Sequence, residues 1–229
     1  MLYLVAAGLG IATLVLLEAG RRGAPGVSAV VWTPAVLRFR RQDRSHPWPE
    51  DAVALFGSST FRRWSDASDD LSPFPVVNRG FGGARMSDLR FFAHGIFGGQ
   101  QPGCVVIYVA NDISGSAWDV TPVRSARLLA DTIARLRADH PSVPIIYMPT
   151  NPTPRRWHVW DRIAAAGDQC IRVCEEQDGV RTLDLRHLFL TEGTVNHLLF
   201  GPDNLHPNRD AYRLIAAELK PLLAESLGR

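Results

Sequence analysis

Five short apolar runs, separated by segments with helical periodicity, constrain the fold of this chain more than any other feature. The runs occupy residues 52–56, 76–78, 104–109, 144–148 and 180–184. The helical patterns lie at residues 60–64, 86–97, 120–139, 159–176 and 209–226. Short strands that are apolar throughout are typical of a parallel sheet, because crossover helices cover both of its faces. With right-handed crossovers, the pattern predicts an α/β fold, a three-layer α/β/α sandwich around a five-stranded parallel sheet.

Size, charge and cysteine spacing narrow the class of protein. The 229 residues suit one globular domain with an N-terminal appendage. The formal net charge is only +2, and the arginines are scattered among acidic residues, so no basic stripe for nucleic acid is present. Cys104, Cys170 and Cys174 lack the spacing of metal ligands. We therefore expect three free core thiols, with no disulfide framework and no zinc site.

Residues 1–22 form a hydrophobic N-terminal segment with few charges. Residues 2–17 are almost unbroken apolar and are followed by Arg21 and Arg22. An uncleaved membrane anchor is the favoured interpretation, with the membrane as a partner; a signal peptide and a helix of the soluble domain are the alternatives. The later arginines favour a cytoplasmic domain, whereas enzymes on such tethers are often extracytoplasmic, so the side of the membrane stays open.

A connector over residues 23–50 contains four prolines, and we expect one short helix in it near residues 34–41. The folded domain is then expected to span residues 51–229. In such a sheet the loops that follow the strands meet at one edge, where open α/β folds bind their ligands. This edge receives four polar blocks, namely Gly57-Ser58-Ser59-Thr60, residues 78–83 with three glycines, Asn111-Asp112, and the Asp-x-x-His sequence of residues 203–206.

These four blocks resemble those of the SGNH or GDSL-type hydrolases in both type and order. That family has Gly-Asp-Ser, a glycine block, Gly-x-Asn-Asp and Asp-x-x-His, on a flavodoxin-like α/β/α sandwich. Singly each block is weak, but together they are a strong signal. The resemblance implies Ser59 as nucleophile, His206 as base with Asp203 as its partner, and an oxyanion hole from Ser59, Gly83 and Asn111. It implies no metal and no organic cofactor.

The chemistry needs these residue types. A serine hydroxyl is a poor nucleophile until an imidazole takes its proton, and histidine, with an ordinary pKa of about 6.5, can do so near neutrality. An aspartate can hold the imidazole in the right tautomer and stabilise its protonated form. Backbone N–H groups and an amide can then stabilise the oxyanion that forms on the attacked carbonyl.

Two residues depart from the family pattern. Ser58 stands where the family has aspartate, and we expect it to cap the following helix or to bond to backbone. Val109 replaces the glycine of Gly-x-Asn-Asp. Because a β-branched residue does not readily adopt a positive φ, the loop carrying Asn111 is expected to take another path if that angle is needed.

The segment of residues 151–160 carries three prolines, two arginines and two tryptophans. One interpretation is a pocket wall, in which Trp157 contacts an acyl or alcohol group and Arg155 or Arg156 attracts an anionic part of the substrate. The other is a stiff loop with a tryptophan packed beneath it. We predict no catalytic residue in this segment.

The function predicted from these features is hydrolysis of carboxylic esters through an acyl-enzyme intermediate. The substrate would be a small-molecule, lipid or carbohydrate ester. An acyltransferase that passes the acyl group to a sugar or lipid hydroxyl would use the same machinery. A membrane-tethered binding module that has lost activity is the third alternative.

Overall fold

The computed structural model describes residues 28–229, and it has a parallel sheet flanked by helices. The helices are α1 (Ser28–Ser45), α2 (Ser59–Arg63), α3 (Ala67–Asp70), α4 (Met86–Phe92), α5 (Pro122–Asp139), α6 (Trp160–Glu175) and α7 (Arg209–Ser226). The central strands are β1 (Val53–Gly57), β2 (Val76–Gly80), β3 (Cys104–Tyr108), β4 (Ile145–Met148) and β5 (Val180–Thr182). The chain also forms a hairpin of β6 (Leu190–Thr191) and β7 (Thr194–Val195). Short 3-10 turns lie at Pro154–Val159, Arg186–Phe189 and His197–Leu199.

The order of the five central strands is β2-β1-β3-β4-β5, and every neighbouring pair is parallel. This confirms the predicted α/β sandwich. From β1 the chain moves outward to β2 and then crosses back to β3 on the other side of β1. Such a reversal opens a crevice at the carboxyl ends of the strands, where ligands bind in open α/β sheets. The loop after β1, which carries Ser59, lies at that position.

Side chains of the central strands alternate between two apolar cores. One core lies under α1, α4, α5 and α6, and the other under α2, α3 and α7. The first core receives Ala54, Phe56, Val105, Ile107 and Ile145, and the second receives Val53, Leu55, Val106, Ile146 and Met148. Burial on both faces explains why β1, β3 and β4 appear in the sequence as continuous apolar runs.

Helix α1 is longer than the short helix expected near residues 34–41. Its side chains Val36 and Phe39 are buried in the first core. Near its end the buried carboxylate of Asp43 accepts a hydrogen bond from Trp48 Nε1 at 2.7 Å and pairs with the buried guanidinium of Arg79. Pro34 inside the helix removes one backbone hydrogen bond, and this packing compensates for the loss.

Other element boundaries differ slightly from the prediction. Helix α4 ends at Phe92 rather than near residue 97, where three glycines with positive φ, at positions 95, 98 and 99, do not favour helix. The three cysteines are free and buried, as expected, and burial raises the pKa of Cys104 and Cys170 to about 12.

The predicted membrane anchor of residues 1–22 lies outside the described residues and stays a prediction. Within residues 28–229, no helix has the length and apolar character needed to cross a bilayer. A fractionation that compares the full chain with one lacking residues 1–22 would test the anchor.

Candidate active site

The loop after β1 places Ser59 at the start of α2, on the crevice side of the sheet. Gly57, the last residue of β1, is required by close packing, because a Cβ there would lie 2.3 Å from the carbonyl oxygen of Tyr108. The short helix is held from β2 by Asn78, whose side-chain amide donates to the Phe61 carbonyl at 2.6 Å. Tyr212 of α7 donates from its hydroxyl to the Thr60 carbonyl at 2.7 Å.

Ser59, His206 and Asp203 form a continuous chain of hydrogen bonds. The Oγ atom of Ser59 is 2.8 Å from Nε2 of His206, and Nδ1 of the same ring is 2.7 Å from Oδ2 of Asp203. The three residues come from two distant segments of the chain, since Ser59 and His206 are 147 positions apart. The fold therefore brings together the three residues that the sequence predicts as the nucleophile, the base and the carboxylate partner of the base.

The turn that carries His206 is closed by Asp203 itself. Its Oδ1 atom accepts hydrogen bonds from the backbone N–H groups of Leu205 and His206, at 3.1 and 3.0 Å. Asn204, between them, has a φ of 55°, in the left-handed region that asparagine tolerates well. The turn orients the carboxylate toward the imidazole before any substrate is present.

Arg63, at the end of α2, is a further partner of Asp203 that the sequence reasoning missed. Its Nη1 atom lies 2.9 Å from Oδ2, the oxygen that also contacts the His206 ring. The side chain of Arg63 is 56% exposed. Arginine at the end of a short helix is common, so no sequence signal distinguishes this one.

Burial and hydrogen bonds set the charge states of Asp203 and His206. Although burial acts to raise it, the pKa of Asp203 lies well below its ordinary value, because the carboxylate accepts bonds from the backbone and ring of His206. Burial lowers the pKa of His206; the bond to Asp203 opposes this shift, and the charge of Arg63 adds to it. The imidazole is therefore neutral near pH 7 and can accept a proton.

Gly83 lies in the turn that follows β2, with a φ of 79°, a left-handed angle that glycine adopts without penalty. A Cβ at this position would lie 3.4 Å from the Trp32 ring of α1. The backbone N–H groups of Ser59 and Gly83 donate to no described residue. Both donors are thus available to a ligand oxygen.

Asn111 is held by hydrogen bonds at both ends of its amide. Its Nδ2 atom donates to the Ala84 carbonyl at 2.9 Å, and its Oδ1 atom accepts from Nη2 of Arg156 at 2.7 Å. Arg156 also donates through Nη1 to the carbonyl of Ala110. The second hydrogen on Asn111 Nδ2 has no acceptor among the described residues. Arg156 is therefore a contact of Asn111 that the sequence analysis did not predict.

Val109 does not keep Asn111 away from the glycine loop. Its backbone is not among the described positions with positive φ, and its side chain is buried in the first core. Its carbonyl accepts a hydrogen bond from the Thr150 hydroxyl at 2.7 Å. The alternative path expected for this loop is not needed, because the local backbone suits a β-branched residue.

Asp112, the neighbour of Asn111, braces the same loop. Its carboxylate accepts from the backbone N–H of Met86 at 2.9 Å and from the Ser125 hydroxyl at 3.4 Å. Burial raises the pKa of Asp112 to about 6. The Asn111 loop is thereby tied to the start of α4, which follows Gly83 directly.

Ser58 is fully buried and its hydroxyl has no hydrogen-bond partner among the described residues, so the predicted side-chain cap is wrong. The expected backbone role is confirmed: its N–H donates to the Tyr108 carbonyl at 3.0 Å, and its carbonyl accepts from the N–H of Arg62 at 3.2 Å. An extended backbone turns its Oγ into the core and leaves Ser59 at the surface of the crevice.

A pocket of about 440 Å³ opens beside the two loops, lined by Gly83 and Asn111 and further by Arg85, Arg156 and Trp118. Trp157 is not among the residues that line this pocket. It packs against the second core and stacks on Trp160, with 6.3 Å between the ring centres. The stiff-loop interpretation therefore holds for Trp157. Arg155 is exposed, whereas Arg156 reaches the pocket.

Residues 28–229 contain no group of three or more His, Cys, Asp or Glu side chains that could hold a metal ion. The polar groups at this edge are instead a hydroxyl, an imidazole, a carboxylate and several hydrogen-bond donors. This set is suited to acyl transfer through a serine.

Solved structures with the same architecture include several ester-cleaving proteins. A GDSL-like lipase from Bacteroides thetaiotaomicron superposes with a TM-score of 0.68 at 16% identity, covering 84% of this chain and 98% of that one. A lipase/acylhydrolase from Enterococcus faecalis gives 0.57 at 21% identity, with coverages of 78% and 96%. A carbohydrate esterase family 3 protein from Talaromyces cellulolyticus gives 0.58 at 16% identity, with coverages of 77% and 98%.

At these identities the superpositions establish the fold alone. A search of curated proteins gives no significant match. The comparison with protein families, in contrast, matches residues 45–214 to the GDSL-like lipase/acylhydrolase family. This confirms the resemblance seen in the four sequence blocks. The chain therefore belongs to the GDSL-like lipase/acylhydrolase family of ester-hydrolysing enzymes.

Proposed function

We propose that this protein cleaves carboxylic esters through an acyl-enzyme intermediate on Ser59. The observation that carries the proposal is the unbroken hydrogen-bonded chain from Ser59 Oγ through His206 to Asp203, at 2.8 and 2.7 Å. A hydroxyl that contacts a neutral imidazole, itself held by a carboxylate, is the arrangement that serine nucleophiles require.

In the first half of the reaction, Ser59 Oγ attacks the ester carbonyl and its proton moves to Nε2 of His206. The tetrahedral intermediate then collapses, the bond to the alcohol oxygen breaks, and His206 returns the proton to the departing alcohol. In the second half, water attacks the acyl-enzyme while His206 again takes a proton. The bond between the acyl carbon and Ser59 Oγ then breaks, His206 returns the proton to Oγ, and the acid is released. Asp203 keeps the imidazole in the tautomer that these transfers need.

The oxyanion would be stabilised by the N–H groups of Ser59 and Gly83 and by the free amide hydrogen of Asn111. The two backbone donors have no acceptor among the described residues, and Gly83 and Asn111 line one pocket. A donor aimed at such an oxygen typically contributes about 3 to 4 kcal/mol to lowering the barrier. The held position of Asn111 supports this role, because preorganised donors need no rearrangement during the reaction.

The proposal is tested by steady-state hydrolysis of 4-nitrophenyl acetate and butyrate. We expect turnover by the wild type, a burst of 4-nitrophenol if deacylation is slow, and a loss of about 10³-fold or more in kcat/KM for Ser59→Ala. Ser58→Ala is the matched control and should keep activity. Equal turnover by wild type and Ser59→Ala would refute the proposal.

The same assay separates the alternatives that the sequence leaves open. Adding a sugar or glycerol acceptor and analysing the products distinguishes water from an alcohol as the acceptor of the acyl group. An acyl-acceptor product that outweighs the free acid would indicate an acyltransferase. A folded wild type that neither turns over esters nor forms an acyl-enzyme would indicate the inactive binding module.

A further inference from the structure

We propose that the pocket beside Gly83 and Asn111 is an anion subsite, built from Arg85 and Arg156, and that the enzyme acts on esters carrying a second, negatively charged group. The inference rests on the proposed ester hydrolysis at Ser59 and adds the class of substrate. In the simplest case the charged group is a carboxylate a few bonds from the scissile carbonyl.

Both arginines are more than nine-tenths buried, with relative exposures of 6% and 9%. Arg85 donates through Nη1 to the Trp118 carbonyl at 2.5 Å and lies 3.5 Å from the Ser116 hydroxyl through Nη2. Arg156 bonds to the Ala110 carbonyl and to the Asn111 amide oxygen. These are neutral acceptors. Among residues 28–229, no carboxylate lies within 4.0 Å of either guanidinium.

Asp119 is the acidic residue that acts on Arg156, but its oxygens are already engaged. They accept from the backbone N–H groups of Ser114, Gly115 and Ser116, and one oxygen pairs with Arg162 at 3.3 Å. Asp119 therefore shapes the loop that carries Trp118, and it does not directly neutralise either guanidinium.

Two buried positive charges line this pocket. The carboxylate of Asp112 acts on Arg85 without forming an ion pair with it, so an added anion would offset the part of the cost of burial that remains. Taking a charged group out of water is unfavourable unless an opposite charge accompanies it. Burial lowers the pKa of Arg156, and the charge of Arg85 shifts it in the same direction, so the two guanidinium groups repel each other. Each has five N–H donors and uses two of them on protein acceptors.

The geometry of the pocket connects this charge to the proposed reaction. Gly83 and Asn111, which would hold the carbonyl oxygen, line the same space as Arg85 and Arg156. A substrate whose carbonyl lies in the oxyanion hole could therefore place a neighbouring group against the arginines. The fork of a guanidinium matches a carboxylate in shape as well as in charge. The volume of about 440 Å³ is ample for a short dicarboxylate chain.

The test compares acidic esters with their methyl derivatives, in which one methyl group removes the negative charge. One arm puts the carboxylate on the acyl side, as 4-nitrophenyl hydrogen glutarate against 4-nitrophenyl methyl glutarate. The other puts it on the alcohol side, as 4-acetoxybenzoate against methyl 4-acetoxybenzoate. The readout is the ratio of kcat/KM for the acid to kcat/KM for the methyl ester.

We expect the wild type to favour the acidic ester about tenfold or more in one arm, which identifies the side of the substrate that the pocket receives. Arg85→Met should lower that ratio about tenfold, and Arg85→Lys should restore part of it. Arg155→Met, the exposed neighbour of Arg156, is the matched control and should leave the ratio unchanged. Circular dichroism verifies that each variant is folded.

A ratio at or below one in both arms would overturn the subsite, and so would an equal loss of kcat/KM on both esters in Arg85→Met. In either case, turnover that depends on Ser59 would leave the proposed function intact. If no ester is turned over, the proposed function fails. The subsite is then decided by calorimetry of monomethyl glutarate with Ser59→Ala. Binding that weakens in the Ser59→Ala, Arg85→Met double variant supports the subsite, and no binding refutes it.

Discussion

The hydrogen-bonded chain of Ser59, His206 and Asp203 contrasts with the pocket wall formed by Asn111 and Arg156. In the chain, each contact joins residues of the motif blocks, with a single turn supplying both Asp203 and His206. On the wall, the motif residue Asn111 is held by Arg156, which is 45 positions later in the chain and belongs to no block. The motifs thus specify the proposed reacting groups, whereas the orientation of the amide that we propose for the oxyanion hole depends on a residue outside them.

The largest effect is expected in the hydrogen-bonded chain of Ser59, His206 and Asp203, for the substitution His206→Gln. Loss of the base should lower kcat/KM for a neutral aryl ester about 10³-fold or more, because Nε2 contacts the serine hydroxyl directly. Steady-state hydrolysis measures the loss. Exposed His197→Gln is the control, and an activity of His206→Gln within tenfold of wild type would contradict the assignment.

On the wall side, Asn111→Ala should lower kcat about 10²- to 10³-fold with a smaller effect on KM, since an oxyanion donor acts mainly in the transition state. Thermal unfolding would show whether the lost contacts to Ala84 and Arg156 also destabilise the loop. A change confined to KM would indicate that Asn111 binds substrate without stabilising the oxyanion.

Arg156→Met should reduce kcat for a neutral ester about tenfold, because the Asn111 amide loses the partner that fixes its oxygen. The split between kcat and KM distinguishes this positioning role from a loss of anion binding, which would raise KM for acidic esters alone. Arg156→Lys keeps the positive charge but loses the forked guanidinium, so its activity should lie between those of Arg156→Met and the wild type. Unchanged kcat in a folded Arg156→Met would remove Arg156 from the positioning role.

A smaller effect, on the pH dependence of kcat/KM, is expected for Arg63, the arginine that pairs with Asp203. His206 works as a base only when neutral, so kcat/KM rises with pH through the pKa of His206, which burial lowers and the nearby charge of Arg63 lowers further. Arg63→Met should therefore raise that pKa and move the acidic limb of the pH profile to higher pH. Because Arg63 is 56% exposed, the move should be small and should shrink in 1 M salt. A move to lower pH would contradict the electrostatic account.

The smallest effect is expected for Ser58→Ala, which removes a fully buried hydroxyl that has no hydrogen-bond partner within residues 28–229. Its free energy of unfolding should stay the same or increase by up to about 1 kcal/mol, because an unsatisfied buried polar group is unfavourable. Chemical denaturation measures this change. A loss of more than about 2 kcal/mol would show that the hydroxyl has a partner after all.

The same contrast explains what the sequence could predict. Continuous apolar strands and ordered motif blocks predict the sheet and the meeting of Ser59, Gly83, Asn111, Asp203 and His206 at one edge, because both depend on local pattern. Helix α1 is longer than the sequence predicts because Pro34 locally indicates a break, whereas packing of Val36 and Phe39 in the first core stabilises the helix. The contacts of Arg156 and Arg63 depend on tertiary approach, which no local pattern encodes.

The central claim, that Ser59 is the nucleophile, is tested most directly by locating a covalent adduct. The folded wild type is treated with a fluorophosphonate probe, and the labelled peptide is identified by mass spectrometry beside Ser59→Ala and Ser58→Ala. We predict one adduct on Ser59 in the wild type, the same adduct in Ser58→Ala, and none in Ser59→Ala. Absence of labelling in the folded wild type, or undiminished labelling of Ser59→Ala, would contradict the account.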